Sequence, residues 1–249
     1  MPKLEITNED NMDLMARYPD KHFDLAIVDP PYGDLCNLHE GHESQKNGWG
    51  RWNEEKQSKW NKAPNKKYFK ELFRVSKNQI VWGGNYFIES LKNTRCLVIW
   101  DKGQREFSLA DAEIAWTSFE KPVRIFNYSR ARATMSKSNS FHPTEKPIAL
   151  YQWLLKNYAK EGDKILDTHL GSMSIAIAIH QMNTEQNMNL TLTGCELDEE
   201  YYKAGLERVN NAIKQKSLFD ENSHPVKEIQ PQYGKDDIKI ADCTNHSLF

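Results

Sequence analysis

The chain has 249 residues, with 33 Lys and Arg against 35 Asp and Glu and a formal net charge of −2. That length suits one large α/β domain, or one such domain with a small appendage. No apolar run approaches the ~20 residues of a membrane helix, and "MPKLEITNED" has neither signal-peptide nor transit-peptide character. A cytoplasmic location, in a bacterium or a phage-infected cell, is the expectation. Cys36, Cys96, Cys195 and Cys243 lie far apart without a CxxC pair, which points to free thiols rather than disulfides or zinc. His22, His39, His42 and His180 offer no metal spacing, so no metal is expected.

In chain order, Asp10 follows an early apolar run and precedes "NMDLMARY", where it is either a site acid or a helix cap. The run 23–28 reads as a strand that ends on "DPPYG" (29–33). Proline removes a backbone donor, fixes its own torsion and holds the preceding residue extended. A stiff loop at the carboxyl end of a strand is where open α/β sheets place ligands; a plain strand-ending turn is the bland alternative. Residues 34–66 are poor in aliphatics and read as a long loop or insert. Within 51–70, Arg51 and Lys59 mix with Trp52, Trp60 and Tyr68, a composition that suits either a solvated basic face or a surface for phosphates and bases.

Strands are predicted at 78–84, 96–101, 112–116, 164–167 and 190–196, and a late one within "DDIKIADC". Helices are predicted in "PIALYQWLLKNYAKEGD", at 172–182 and at 198–215, the last with an acidic first turn and a basic end. From Lys121 to Pro147 the chain carries Lys121, Arg124, Arg130, Arg132, Lys137 and Lys146 against Glu145 alone. Alternating strands and helices predict a doubly wound, mainly parallel sheet. The domain plan is a body over 1–215, with an insert near 34–66 and a second special segment near 102–140, then a polar tail over 216–249.

"ILDTHLGSMSIAIA" (165–178) is a strand, a tight turn and a helix start, a place for a carboxylate or phosphate. Further on, "LTLTGCELD" ends a strand on Glu196, an acid placed to suit ribose hydroxyls or merely a surface residue. No GxGxxG fingerprint is present, which argues against a dinucleotide cradle and a nicotinamide oxidoreductase. In "SFHPTEKPIALYQWLL" (140–155), His142-Pro143-Thr144 could be a capping turn and Lys146 a packing residue.

Asp29-Pro30-Pro31-Tyr32, His142-Pro143-Thr144-Glu145-Lys146-Pro147 and Asp167-Thr168-His169-Leu170-Gly171-Ser172, in that order, resemble the amino-group DNA methyltransferases in their β arrangement. "VWGGNYF" (81–87) fits the same pattern, and the resemblance covers roughly residues 4 to 215. It implies a Rossmann-like methyltransferase fold of the seven-stranded type with inserted DNA-recognition segments. It further implies S-adenosylmethionine as cofactor, double-stranded DNA as partner and a homodimer as assembly.

By that resemblance, Asp29 and the Pro30 carbonyl accept from the target amine, Pro31 stiffens the loop and Tyr32 stacks on the base. Asp10, Asp29, Lys146, Asp167, His169, Leu170, Gly171, Ser172 and Glu196 surround the cofactor. Arg51, Lys59, Arg124, Arg130, Arg132 and Lys137 are the candidate DNA contacts. Asp29, where cytosine-N4 enzymes more often carry serine, favours adenine N6 over cytosine N4. The chain lacks a Pro-Cys nucleophile, which disfavours C5-cytosine chemistry. RNA or protein-glutamine methyltransferases usually order their motifs the other way. Two departures stand out: Met173 replaces a second glycine, and Thr168-His169 replaces Pro-Phe. They make a non-catalytic DNA-binding homologue the competing expectation.

Overall fold

The computed structural model describes residues 4–33, 62–105, 110–129 and 145–214, together with the backbone of 238–239. The first half forms β1 (Leu4–Asn8), α1 (Asn11–Ala16), β2 (Phe23–Val28), α2 (Lys66–Val75), β3 (Ser76–Trp82), β4 (Leu97–Asp101), β5 (Ala112–Thr117) and β6 (Arg124–Asn127). The second half forms α3 (Ile148–Tyr158), β7 (Lys164–Asp167), α4 (Ser174–Gln186), β8 (Thr191–Glu196), α5 (Glu199–Lys214) and β9 (Ile238–Lys239). These strands make one sheet in the order β6-β4-β5-β3-β2-β7-β8-β1-β9. Among them β5 alone runs against its neighbours, β3 and β4.

The period-2 alternation of β2 explains why helices cover both faces. Leu25 and Ile27 join Ile80 and Trp82 of β3 in a core completed by Leu150 and Leu154 of α3 and Ile175 and Ile179 of α4. Ala26 and Val28 point the other way, with Val81, onto Leu14 and Met15 of α1 and Phe69, Leu72 and Val75 of α2. A strand buried on both sides has no polar alternation, which is the composition of 23–28.

From β2 the chain proceeds to β3 on one side, and from β7 to β8 on the other. Neighbouring β2 and β7 run parallel, with Leu25 opposite Ile165. The strand order therefore reverses between them, and the carboxyl ends of such a pair are where open α/β sheets form their ligand crevice. Asp29 and Asp167 leave the sheet at that crevice.

Two elements depart from the sequence expectation. Helix α2 occupies 66–75, the end of a stretch read as a basic loop. Asn65 caps it by accepting from the Lys67 and Tyr68 amides at 2.9 and 3.3 Å, while Tyr68, Phe69, Leu72 and Val75 bury one face. Strand β6 pairs with β4, Val98 opposite Arg124, so part of the basic 102–140 segment is integral sheet. Together β6 and β9 extend the expected seven strands at both edges. The late strand expected in "DDIKIADC" is present as β9 beside β1. The remainder of the 34–66 insert up to 61, and 130–144, lie outside the described residues.

Met173 starts α4 with φ 57°, the left-handed backbone that glycine favours. Its side chain is fully buried and packs on Gly205 of α5, where an added Cβ would lie 2.8 Å from the Met173 Sδ. The missing glycine thus keeps its backbone conformation, and the extra side chain fills a gap opened by another glycine. Met173→Gly should relieve ~1 kcal/mol of backbone cost but lose the ~2–5 kcal/mol of a buried large side chain. The expected outcome is a lower urea midpoint, by about 1–3 kcal/mol of stability. A midpoint equal to or above that of the parent chain would show that the side chain is not packed as described.

Candidate active site

Asp29 sits one residue beyond β2, its side chain 17% exposed. One carboxylate oxygen, Oδ1, accepts from the Tyr32 hydroxyl at 2.9 Å; the other, Oδ2, accepts a close contact from the Lys146 ammonium. Lys146 Nζ also lies 3.2 Å from Glu113 Oε2 on β5, and Lys102 Nζ lies 2.8 Å from Glu113 Oε1. The result is a row of alternating charge, Asp29–Lys146–Glu113–Lys102. The Lys146 ammonium also lies 5.2 Å from the centre of the Trp82 ring, within cation–π range.

Burial lowers the affinity of Lys146 for its proton, but the charges of Asp29 and Glu113 outweigh burial and raise it above the ordinary lysine value. Burial opposes ionisation of Glu113, yet Lys146 and Lys102 bring its pKa down to about 2. For Asp29, burial dominates and Glu113 adds to it, so the pKa is raised even against Lys146 and Tyr32. Burial and the nearby Asp29 and Glu113 charges hold the Tyr32 phenol well above its usual value, so it remains a donor.

The Tyr32 ring stacks on Tyr86 with centroids 4.7 Å apart. Gly83 makes that possible: its φ is +66°, and a Cβ there would meet the Tyr32 ring at 2.2 Å. This is the physical content of "VWGGNYF". One face of Tyr32 therefore rests on protein, and its hydroxyl orients Asp29.

Across the crevice, Asp167 ends β7 and accepts from the His169 amide at 3.0 Å. Burial, with the Asp29 and Glu196 charges adding to it against the His169 amide, lifts Asp167 to about 8. Glu196 accepts from the Gly171 amide at 2.8 Å and the Asp198 amide at 2.9 Å, which fastens the 170–173 turn to the end of β8. Leu170 is buried, and the Ser172 hydroxyl lies 3.1 Å from that of Ser174. Burial drives the His169 imidazole down to about 3, so it is neutral. Three carboxyl groups, Asp29, Asp167 and Glu196, thus face one crevice, an environment suited to a cationic ligand rich in hydrogen-bond donors.

The structure brings Asp29, Tyr32, Lys146, Asp167, His169, Leu170, Gly171, Ser172 and Glu196 to the ends of β2, β7 and β8, with Pro30 buried and Pro31 half-buried in the first loop. Lys146, expected beside a cofactor carboxylate, pairs with two protein carboxylates, Asp29 and Glu113. Asp10 is a helix cap: its exposed carboxylate accepts from the Met12 amide at 2.7 Å. Arg124 is exposed on β6, with β4, β5 and β3 between it and β2. Arg51, Lys59, Arg130, Arg132 and Lys137 lie outside the described residues.

Sequence reading missed Glu113, Lys102 and the clamp around Glu145. Arg208 of α5 donates to Glu145 Oε1 at 2.8 Å, to the Ser172 carbonyl at 2.5 Å and to Ser174 Oγ at 3.0 Å. Glu145 stands in a motif that was noticed, but nothing local marks its partner. Among the described residues no three His, Cys, Asp or Glu cluster as metal ligands, and no helix is long and apolar enough to cross a membrane.

The Asp167 carboxyl binds its proton more tightly in the folded chain than in the unfolded one. Its contribution to stability is complete below about pH 4 and is lost as pH rises toward 8. Asp167→Asn keeps an oxygen for the His169 amide and removes that titration. Thermal melting should find the variant gaining on the parent chain between about pH 5 and about pH 9; parallel pH profiles would show that Asp167 is not buried as an acid.

Comparison with known proteins places this crevice in context. The chain is 32% identical over 92 residues to the DNA adenine methyltransferase YhdJ of Escherichia coli K12, a match covering 36% of this chain and 29% of that protein. It spans about a third of the length of the curated relatives it matches. Among solved structures, the M1.HpyAVI–SAM complex superposes with a TM-score of 0.52 at 16% identity, over 83% of this chain and 99% of the other. The cytosine-N4-specific PvuII DNA methyltransferase gives 0.52 at 13% identity, over 85% of this chain and 93% of the other. At those identities the likeness is one of fold, a Rossmann-like methyltransferase sheet. The N6/N4 DNA methylase family matches residues 53–207, more than half of the chain, and the chain belongs to that family.

Proposed function

We propose that the chain transfers a methyl group from S-adenosylmethionine to the exocyclic amine of a base flipped out of double-stranded DNA, adenine N6 ahead of cytosine N4. The observation that carries this reading is Asp29: a largely buried carboxylate on a proline-stiffened loop, oriented by Tyr32 and Lys146 at the point where the strand order reverses. An exocyclic amine is a poor nucleophile because its lone pair is delocalised into the ring. An anionic acceptor fixed before the reaction draws on the N–H and favours the geometry that frees the lone pair, so the stabilisation is greatest at the transition state. Lys146 favours the ionised form of Asp29, against the burial that raises its pKa.

The crevice chemistry suits the proposed cofactor. Asp167 and Glu196 supply acceptors for a cationic amino group and for ribose hydroxyls, and Gly171 leaves the turn without a side chain there. When bound, S-adenosylmethionine supplies an electrophilic methyl on a sulfonium. The chain's own part is to bind, align and keep water away, so that two reactants meet in line. Met173, the strongest sequence argument for an inactive homologue, points its side chain at Gly205, which leaves the active reading ahead. Adenine is preferred because Asp29 stands at the acceptor position. YhdJ, a DNA adenine methyltransferase by name, lends support, as does the presence of S-adenosylmethionine in the M1.HpyAVI complex. DNA phosphates would be held by basic residues of the 34–66 and 102–140 segments, Arg124 included.

The test is incubation of the full chain with S-adenosylmethionine and unmodified phage DNA, followed by mass spectrometry of the released nucleosides. N6-methyladenine is the expected product. N4-methylcytosine would replace the adenine reading by its alternative, and no methylated nucleoside would overturn the proposal. Asp29→Ala should keep its fold, since Lys146 retains Glu113 as partner, and lower turnover by at least ~100-fold, a loss typical of removing one preorganised hydrogen-bonding group. Turnover within a few-fold of the parent would remove Asp29 from the chemistry.

A further inference from the structure

We infer that Glu113 is a positioning residue for methyl transfer: by sharing the Lys146 ammonium, it leaves lone pairs of the Asp29 carboxylate open to the substrate amine. This rests on the methyltransferase reading above. The geometry is a matter of counting acceptors. A carboxylate offers about four lone-pair sites. Asp29 has committed one to Tyr32 and one to Lys146.

Lys146 is buried and its side chain only 3% exposed, so water contributes little to its solvation. With Glu113 in place the ammonium divides between two anions, and Glu113 is itself fixed from behind by Lys102. Without Glu113, the ammonium has a single anionic neighbour. It would settle across both oxygens of Asp29 and close the edge that the amine needs. Lys102 completes the row at its outer end, so that neither carboxylate is left unbalanced.

Charge gives the proposal a signature that packing alone does not. The groups facing Asp29 are Lys146 ahead of α3, Tyr32 in its own loop, Glu113 on β5 and Asp167 on β7. Tyr68 of α2 and Tyr151 of α3 also feel its charge. Of these, Glu113 contributes a nearby negative charge that favours protonation of Asp29. Removing that charge makes Asp29 more acidic, so activity should persist to lower pH even as its ceiling falls.

The experiment compares the parent chain with Glu113→Gln and Glu113→Asp. Steady-state methylation of unmodified phage DNA gives kcat, KM and their pH profiles. A carbon-13 NMR titration of the protein without cofactor or DNA, with the Asp29 signal assigned through Asp29→Asn, reads the Asp29 midpoint directly. Glu113→Gln should lower kcat by ~10–100-fold, as small misplacements of reacting groups do, with KM for S-adenosylmethionine unchanged. Its acid limb and its NMR midpoint should both move to lower pH. Glu113→Asp, charged but too short to reach Lys146, should lower kcat without moving the midpoint downward.

A Gln variant with the parent's kcat, or one whose kcat falls while the midpoint stays fixed, overturns the inference. Failure of both variants to fold assigns Glu113 to the framework and overturns it too. An inactive parent chain defeats the methyltransferase reading instead; the NMR arm still reports on the Glu113–Asp29 link.

Discussion

An ammonium group buried between two carboxylates is the constraint around which this protein is arranged. Lys146 is held in its buried position by Asp29 and Glu113 together, and with neither carboxylate facing it the uncompensated charge would cost about 3–5 kcal/mol. The requirement binds the end of β2 to β5 and to the segment that enters α3. The backbone before Lys146 is fixed in turn: Arg208 holds Glu145 and also grips the 172–174 turn. Two charged contacts therefore link the loop after β2, the entry to α3 and the turn after β7. A displacement of any one is felt by the other two.

The sheet explains why these groups meet at all. Asp29 and Asp167 are distant in sequence but leave adjacent parallel strands at the same edge. Glu196 leaves β8, the next strand along. Parallel pairing places successive strand ends on one side, so acids at those ends accumulate. Their repulsion is visible in Asp167, which burial and the two neighbouring charges raise to about 8. Perturbed acids gathered in this way are characteristic of functional sites.

Much of this was legible in the sequence, for local reasons. A run buried on both faces followed by Asp-Pro-Pro-Tyr announces a strand and a stiff loop, and the 165–178 stretch announces a strand, turn and helix. What was not legible depends on pairs. The Lys146–Asp29 contact joins residues 117 apart, and Glu113 sits in a strand whose composition is unremarked. Helix α2 was hidden because its lysines and the loop before it share one basic composition, although Asn65 and the spacing of Tyr68, Leu72 and Val75 encode it. Of the two sequence readings of Asp10, site acid or helix cap, the cap is the one with a visible partner, the Met12 amide. Met173 was legible as a departure but not as a resolved one, since its compensation lies at Gly205 on another helix.

The second departure, Thr168-His169, shows how a turn can be rebuilt by other means. In place of an apolar pair, the structure has a hydrogen-bonded chain. Tyr68 and Thr168 hydroxyls lie 2.7 Å apart, Thr168 Oγ1 and His169 Nδ1 2.9 Å, and His169 Nε2 and Asn11 Nδ2 3.1 Å. Because burial keeps His169 neutral, one ring nitrogen donates and the other accepts. With the Asn11 amide as assigned from this network, Nε2 accepts and Nδ1–H donates to Thr168. The Thr168 hydroxyl then donates to Tyr68. Every polar group that replaces the apolar pair is satisfied, which a buried site demands. The chain also joins α1 and α2 to the 168–171 turn from the face opposite to Arg208. The turn is therefore held from both sides of the sheet, by neutral hydrogen bonds on one and by a charged clamp on the other, and its shape does not depend on the residues usual in the family.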